Sequence, residues 1–249
     1  MGNTRFSISP DVCFSLDKDG TIILSIEKGK FYSLTGLGSL VWASLTNHLE
    51  GLTLDRITAD LLAEFNDVSR QEIESDLKSS LEDFIDKGLI QVNQECARQA
   101  NGPRELICIN AVLLTRLITS LLIRFKLNTF AILLYLTLFQ LVGAFGGFRI
   151  RRYAIKRWPI AKVQRVDHQV LSNLCVTVTK ACTWFPKLSK CLQQSTATTC
   201  FLRQHGFPAV MVIGVRRMPF SSHAWVEVDS KVVNDHKNVQ TYFKVLDRW

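Results

Sequence analysis

The chain has 249 residues, 47% of them hydrophobic, enough for one large core or two modest ones. Residues 1–95 hold 8 basic and 16 acidic side chains, net −8, while residues 96–249 hold 22 and 6, net +16. That asymmetry argues for two domains. The basic charges are scattered and match no nucleic-acid-binding motif, so no nucleic-acid partner is expected.

Residues 11–35 predict three short strands, Val12 to Leu16, Thr21 to Ile26 and Phe31 to Leu34, with turns at Asp19-Gly20 and Lys28-Gly29. Three helical patterns follow. Leu37, Leu40, Val41 and Leu45 share one face. Ile57, Leu61, Leu62 and Phe65 share the next, within Thr53 to Phe65. The third runs from Ser69 to Lys87. It opens on a capping box, Ser69 with Glu72, and stacks Ile73, Leu77, Leu81, Phe84 and Ile85. Gly88 fits a helix C-terminus before Leu89 to Val92.

This β-β-β-α-α-α order, with Gly29 to Leu34 (GKFYSL), Gly38, Val41-Trp42 and Phe84 to Ile90 (FIDKGLI), resembles the PqqD-like RiPP recognition element, a winged-helix domain. The resemblance covers about residues 8–93 and implies binding of a precursor's leader peptide. An edge strand offers unpaired backbone groups for such a peptide, and a groove beside it takes apolar side chains. The expected contacts are Lys30, Phe31, Tyr32, Ser33 and Leu34 on the edge, with Leu77 and Leu81 on the groove wall. Alternation places Tyr32 opposite Phe31 and makes it the stronger contact candidate.

The domain boundary falls at residues 96–105, where Asn101-Gly102-Pro103 reads as a linker. The expected domains are thus 1–95 and 106–249, the latter opening with apolar helices over 106–148. Leu113, Leu114, Leu117, Ile118, Leu121 and Leu122 form a stripe interrupted by Arg116 and Arg124. From Leu127 to Phe148 no residue is charged for 22 positions, long enough for a bilayer span. Basic residues flank this run on both sides, so it carries no orientation signal. A buried helical hairpin and a membrane span are both open here. Association with a membrane through 106–148 is one expectation, and release by salt alone would exclude a span.

Residues 150–188 look helical and basic, with Asp167 and His168 ahead of Val170, Leu171, Leu174 and Val178. Trp184-Phe185-Pro186 is expected to fix the approach to the next helix, for which Ser189 is an N-cap candidate. Cys191 then falls in the first turn, where the helix dipole favours a thiolate. Gly206 and Pro208 end that helix. Ala209 to Val215 reads as a buried strand. His223 opens an alternating strand, Ala224 to Val228, and Lys231 to Val233 returns after a turn at Asp229-Ser230. Taken singly, a cysteine is more often buried and inert, a histidine more often a solvated edge residue, and an aspartate more often a turn residue.

Hairpin register separates two outcomes. A two-residue loop sets His223 across from His236 and sends Asp235 to the far face, which would favour His236 or Asn234. An odd loop or a bulge sets Asp235 across from His223.

Cys191-Leu192, Gly206-Phe207-Pro208, Val212 to Arg217, Pro219-Phe220, His223 to Asp229 and Val232 to Asp235 together resemble the leader-peptidase half of lasso peptide biosynthesis B proteins. These are transglutaminase-like cysteine proteases. The resemblance spans roughly residues 150–249, with Ser230 where the family usually has glycine. It implies Cys191 as nucleophile, His223 as general base and acid, and Asp235 as the group orienting the imidazole.

The whole chain then reads as an α+β protein: a winged-helix PqqD-like domain, an apolar helical segment and a papain-like, transglutaminase-like protease domain. The resemblance implies a precursor leader as ligand and an ATP-dependent lasso cyclase as partner. No phosphate-binding glycine motif occurs, so no cofactor is expected in this chain, and ATP only for the cyclase. Seven cysteines, an odd number without a C-x-x-C pair, argue against a disulfide framework and a zinc site. With no secretory signal peptide in view, a cytoplasmic location is expected, at the inner face of the cell membrane if 106–148 associates with it. Two rivals use the same residues: an acyltransferase with an amine acceptor, and a non-catalytic escort of the peptide.

Overall fold

The computed structural model describes residues 4–48, 50–64, 69–92, 103–124, 126–145, 147–161, 167–184 and 191–249; for 103–109, 144 and 145 it describes the backbone alone. The expectations for Phe65, Phe185, Pro186, Ser189 and most of the linker lie outside the described residues. The chain divides into two compact units, Met1–Ala100 and Asn101–Trp249.

The first unit contains β1 (Arg5–Ile8), β2 (Val12–Asp17), β3 (Gly20–Ser25), β4 (Lys30–Leu34), α1 (Gly36–Thr46), β5 (Leu52–Thr53), α2 (Leu54–Glu64), α3 (Arg70–Asp86) and β6 (Ile90–Val92). Strands β2, β3 and β4 form one antiparallel sheet in that order. Its middle strand is buried throughout, with Ile22, Ile23 and Leu24 at its centre. A second sheet, β5-β1-β6, was not foreseen. Its strands have two to four residues each and form only through pairing of distant segments, so they leave no local pattern.

Helix α3 begins and ends as its sequence dictates. The Ser69 hydroxyl accepts the Glu72 N–H at 3.3 Å, and the Glu72 carboxylate accepts the Ser69 N–H at 3.3 Å. At the other end Leu89 N–H donates to Phe84 O and Gly88 N–H to Ile85 O, with Gly88 left-handed at φ 66°. The apolar face of α3 closes the core around Trp42, whose ring meets Phe84 edge-on at 5.8 Å. Leu77 (0% exposed) and Leu81 (2%) lie inside that core rather than on a groove wall. An apolar stripe on a helix of 17 residues serves the core first, because burying each leucine is worth roughly 1.5–3 kcal/mol.

The second unit contains α4 (Pro103–Arg124), α5 (Asn128–Phe145), α6 (Gly147–Lys156), α7 (His168–Trp184), α8 (Cys191–Gln204), β7 (Ala209–Arg216), β8 (Ser221–Val228), β9 (Lys231–Val232), α9 (Val239–Tyr242) and β10 (Lys244–Arg248). The antiparallel sheet runs β10-β7-β8-β9, and α8 packs against β7 and β8.

Helix α8 is polar in sequence, yet nearly all of it is buried. Each polar group finds a partner, as burial demands. Gln193 donates to Leu136 O at 2.6 Å and Ser195 to Ala224 O at 2.8 Å. Thr196, Thr198 and Thr199 bond back to the carbonyls one turn earlier. Arg203 donates to Ala209 O, Ile155 O and Trp249 O, and burial pulls its pKa down. The helix is thus the central post of the unit, clamped to α5, α6, β7, β8 and the C-terminal residue.

The 106–148 region is a helical hairpin, and its two helices differ. Helix α5 buries Ala131, Ile132, Tyr135, Leu136 and Phe139. Helix α4 turns Thr115 and Thr119 inward, Thr119 meeting the Tyr135 hydroxyl at 2.7 Å. Its leucine stripe faces outward, with Leu117 66% exposed. The buried-hairpin expectation therefore holds for α5 and not for the stripe of α4. Among the described residues no helix is long and apolar enough to cross a membrane.

Candidate active site

Cys191 is the first residue of α8, so its thiol sits at the positive end of that helix's dipole. His223 is the third residue of β8, the strand on which α8 packs. Its Nε2 lies 2.5 Å from Asp235 Oδ2. A hydrogen bond also links Cys191 to the His223 side chain, and with Nε2 occupied by Asp235 it falls to Nδ1. The three predicted residues therefore meet in one line: thiol, imidazole, carboxylate.

The route by which Asp235 arrives differs from both register expectations. The loop has two residues, with Glu227 across from Val232 and Val228 across from Lys231. Asp229 and Ser230 both have positive φ, 48° and 62°, which is the type I′ hairpin turn. Serine takes there a conformation that glycine adopts at no steric cost. Continued regularly, that ladder would carry Asp235 to the far face. It does not continue. After Val233 N–H donates to Val226 O, the chain leaves the sheet through bends at 233–235. The Asn234 side chain then takes the place of a strand partner, its Oδ1 accepting the Val226 N–H at 2.6 Å. This departure swings Asp235 back to His223.

Asn234 does more than end the ladder. Its Nδ2 donates to Ser195 Oγ at 3.0 Å, and that hydroxyl donates to Ala224 O at 2.8 Å. One clasp thus ties the helix of Cys191, the strand of His223 and the loop of Asp235. Asn234→Ala would orphan the Val226 N–H, at a cost of roughly 1–3 kcal/mol. We expect a lowered melting temperature and a weakened Cys191–His223 pair. A thermal melt and the alkylation rate of Cys191 measure both.

Beneath the imidazole lie two rings. Phe243 is 5.2 Å from it and Trp225 6.4 Å, centroid to centroid. Trp225 is anchored by Glu227, a carboxylate only 2% exposed, which accepts the indole N–H at 2.8 Å, the Gln240 amide at 2.7 Å and the Arg248 guanidinium. Burial alone would raise the Glu227 pKa; these donors outweigh it and hold the carboxyl below its ordinary value. Gly214 must be glycine here, because a Cβ would stand 2.7 Å from the Trp225 ring.

Electrostatics single out one thiol. Burial works against a Cys191 thiolate, but the hydrogen bond to His223 and backbone bonds at Ala224 and Leu192 outweigh it and hold the pKa below 9.0. Cys175 is pushed up to about 11 by burial, and burial also raises Cys182 and Cys200. Hydrogen bonding to Cys191 lifts His223 to about 9, against its partial burial and helped by Asp235. Such a thiolate–imidazolium pair is equipped for nucleophilic attack on an acyl carbon. Among the described residues no cluster of His, Cys, Asp or Glu is placed to hold a metal.

In the first unit, β4 is the outer strand of its sheet. Lys30 and Ser33 are exposed, Phe31 and Tyr32 half-buried, and Leu34 is in the core. Tyr32 packs against that core, with the Lys87 ammonium 5.6 Å above its ring. Four predicted contacts, Lys30, Phe31, Tyr32 and Ser33, thus share one outer strand, while Leu34, Leu77 and Leu81 belong to the core.

The sequence reading missed Ser195, Trp225 and Glu227, and offered Asn234 only as a substitute for Asp235, not as the residue that ends the ladder. Of the three missed, Trp225 had a signal, since it lies two residues beyond His223 on the same strand face.

Residues 132–248 match the transglutaminase-like superfamily, and residues 20–90 match the PqqD family, described as coenzyme PQQ synthesis protein D. The chain therefore joins a PqqD domain to a transglutaminase-like domain. It is homologous to the microcin J25-processing protein McjB of Escherichia coli, with 43% identity over 58 residues, 23% of this chain. That match spans 28% of the relative's length. A solved structure, TbiB1 in complex with the TbiA(beta) leader peptide, shares 28% identity. The comparison covers 34% of this chain and 94% of that one, with a TM-score of 0.31.

Proposed function

We propose that this chain is a lasso peptide biosynthesis B protein that binds the leader of a precursor peptide and cuts it from the core. The observation that carries the reading is the Cys191–His223–Asp235 line, with an activated thiol at a helix N-terminus. Cys191 attacks the scissile carbonyl and His223 protonates the departing amine. Water, deprotonated by His223, then hydrolyses the thioester. Asp235 holds the imidazole in orientation. The PqqD domain presents the β4 edge to the leader as an added strand. This chemistry needs no cofactor from the chain; ATP belongs to the partner cyclase, which closes the ring.

The test is mass spectrometry of a precursor peptide incubated with the wild-type chain and with Cys191→Ala. A new peptide N-terminus, formed by the wild type alone, supports the peptidase. An isopeptide bond would make the chain an acyltransferase. Unchanged release by Cys191→Ala would leave only the escort reading.

The outward stripe of α4 supports peripheral membrane association. Between Glu105 and Asp167 the sequence has no acidic residue and ten basic ones, and Arg124 and Lys126 are exposed beside the stripe. Apolar side chains beside cations suit the interface of an anionic bilayer. We expect co-sedimentation with phosphatidylglycerol vesicles but not with phosphatidylcholine vesicles, and its loss in Leu117→Glu/Leu121→Glu. Equal recovery with both lipids would refute an electrostatic dock.

A further inference from the structure

A groove of about 1200 Å³ lies in the second unit between α7 and the β8–β9 hairpin, and it reaches the candidate site at Asp235. One wall is the face of α7 from His168 to Lys180. From His168 to Lys180 the helix rises about 18 Å, which is the length of roughly five residues of extended chain. The opposite wall is β9 and the loop after it, and β9 is the outermost strand of its sheet.

The lining has a definite chemistry. Leu171, Val176 and Val232 supply apolar surface. Three ammonium groups stand around it: Lys180 from α7, Lys231 from β9 and Lys237 from the following loop, all on exposed residues. Among the described residues one carboxylate lines the groove, Asp235, and it is committed to His223 at 2.5 Å. Among the described residues the groove therefore carries positive charge with no free counter-charge of its own, at a strand edge that ends at the carboxylate of the candidate site.

We infer that this groove binds the substrate chain next to the scissile bond and selects a segment in which acidic side chains alternate with apolar ones. Period-two alternation lets an extended peptide set apolar side chains against α7 and direct carboxylates to the lysines. The inference rests on the peptidase reading for its purpose, but its binding chemistry is separately measurable. None of the three lysines belongs to the Cys191–His223–Asp235 line, so they act on recognition and not on the bond-making step.

The experiment uses the full-length Cys191→Ala chain, which separates binding from cleavage. The probe is a fluorescein-labelled six-residue peptide alternating Glu and Val, compared with its Gln–Val counterpart by fluorescence anisotropy at low salt. We expect the acidic peptide to bind at least about tenfold more tightly, with the difference shrinking as salt is added. Lys180→Glu/Lys231→Glu/Lys237→Glu should abolish that preference and reverse it toward a Lys–Val peptide, a gain that a misfolded chain would not show. Arg124→Glu/Lys126→Glu/Lys156→Glu makes the same change in net charge away from the groove and should leave binding within about twofold. In the wild type the acidic peptide should also slow alkylation of Cys191 by iodoacetamide. Equal binding of the two peptides, equal loss in both triple variants, or binding without protection of Cys191 would each overturn the assignment. Loss of leader release in Cys191→Ala without any charge preference would leave the peptidase standing and remove only the groove.

Discussion

Replacing His223 with alanine should lower the proposed leader release by about 10⁴-fold, the scale on which removing one member of a nucleophile–base pair acts. The same change should raise the pKa of Cys191. In the wild type burial opposes the thiolate, and the hydrogen bond and charge of His223 together with backbone bonds at Ala224 and Leu192 outweigh it and hold the thiol below its ordinary value. Without the imidazole two of those lowering influences are gone while burial remains, so the thiol should titrate higher than in the wild type. The rate of iodoacetamide alkylation against pH reads this directly, as a midpoint that moves to higher pH in His223→Ala. The wild-type activity profile follows from the same pair. Its acid limb is formation of the Cys191 thiolate. Its alkaline limb is loss of the His223 proton near pH 9, because the raised pKa keeps the imidazolium available as acid up to about 9. These limbs belong to the coupled pair rather than to either residue alone. An unshifted alkylation midpoint in His223→Ala would mean that the pairing does not activate the thiol.

The parts of this architecture that local chemistry controls were legible in the sequence. Ser69 with Glu72 began α3 and Gly88 ended it, because capping depends on residues within one turn. Both hairpins followed from turn composition and flanking alternation, the one at Asp229-Ser230 in place and the one expected at Asp19-Gly20 turning one residue earlier, at Lys18-Asp19. The parts that distant contacts control were not legible. Strands β1, β5 and β6 exist only as partners of one another. Helix α8 looks like a surface helix by composition, and its polar groups become interior groups only because Leu136, Ala224, Ile155 and Trp249 offer carbonyls to them. The reverse holds for α4, whose leucines read as core and face outward, while two threonines face in. Asp235 shows both limits at once. Its identity and position were readable. Its path to His223 was not, because register counting presumes a ladder that runs on, and Asn234 ends it.

A precursor stripped of its leader should be cut about 10²–10⁴-fold less efficiently than the full precursor, with the loss mainly in KM. Linking a binding module to a second site makes the second encounter intramolecular, at an effective concentration near the millimolar range for a short flexible connection. Without the leader that advantage vanishes, while the Cys191–His223–Asp235 line is untouched, so kcat at saturating substrate should change little. Two further arms separate tethering from activation. Leader peptide added in trans should not restore cleavage of the leaderless substrate, since a free leader holds nothing near Cys191. Phe31→Ser on the β4 edge should impair cleavage of the full precursor and leave the leaderless rate unchanged, provided the melting temperature is retained. Rescue in trans would instead mean that the leader switches the second unit on, and the PqqD domain would be a regulator rather than an anchor. Equal rates with and without the leader would remove the leader from recognition altogether, leaving selection to the surface around Cys191.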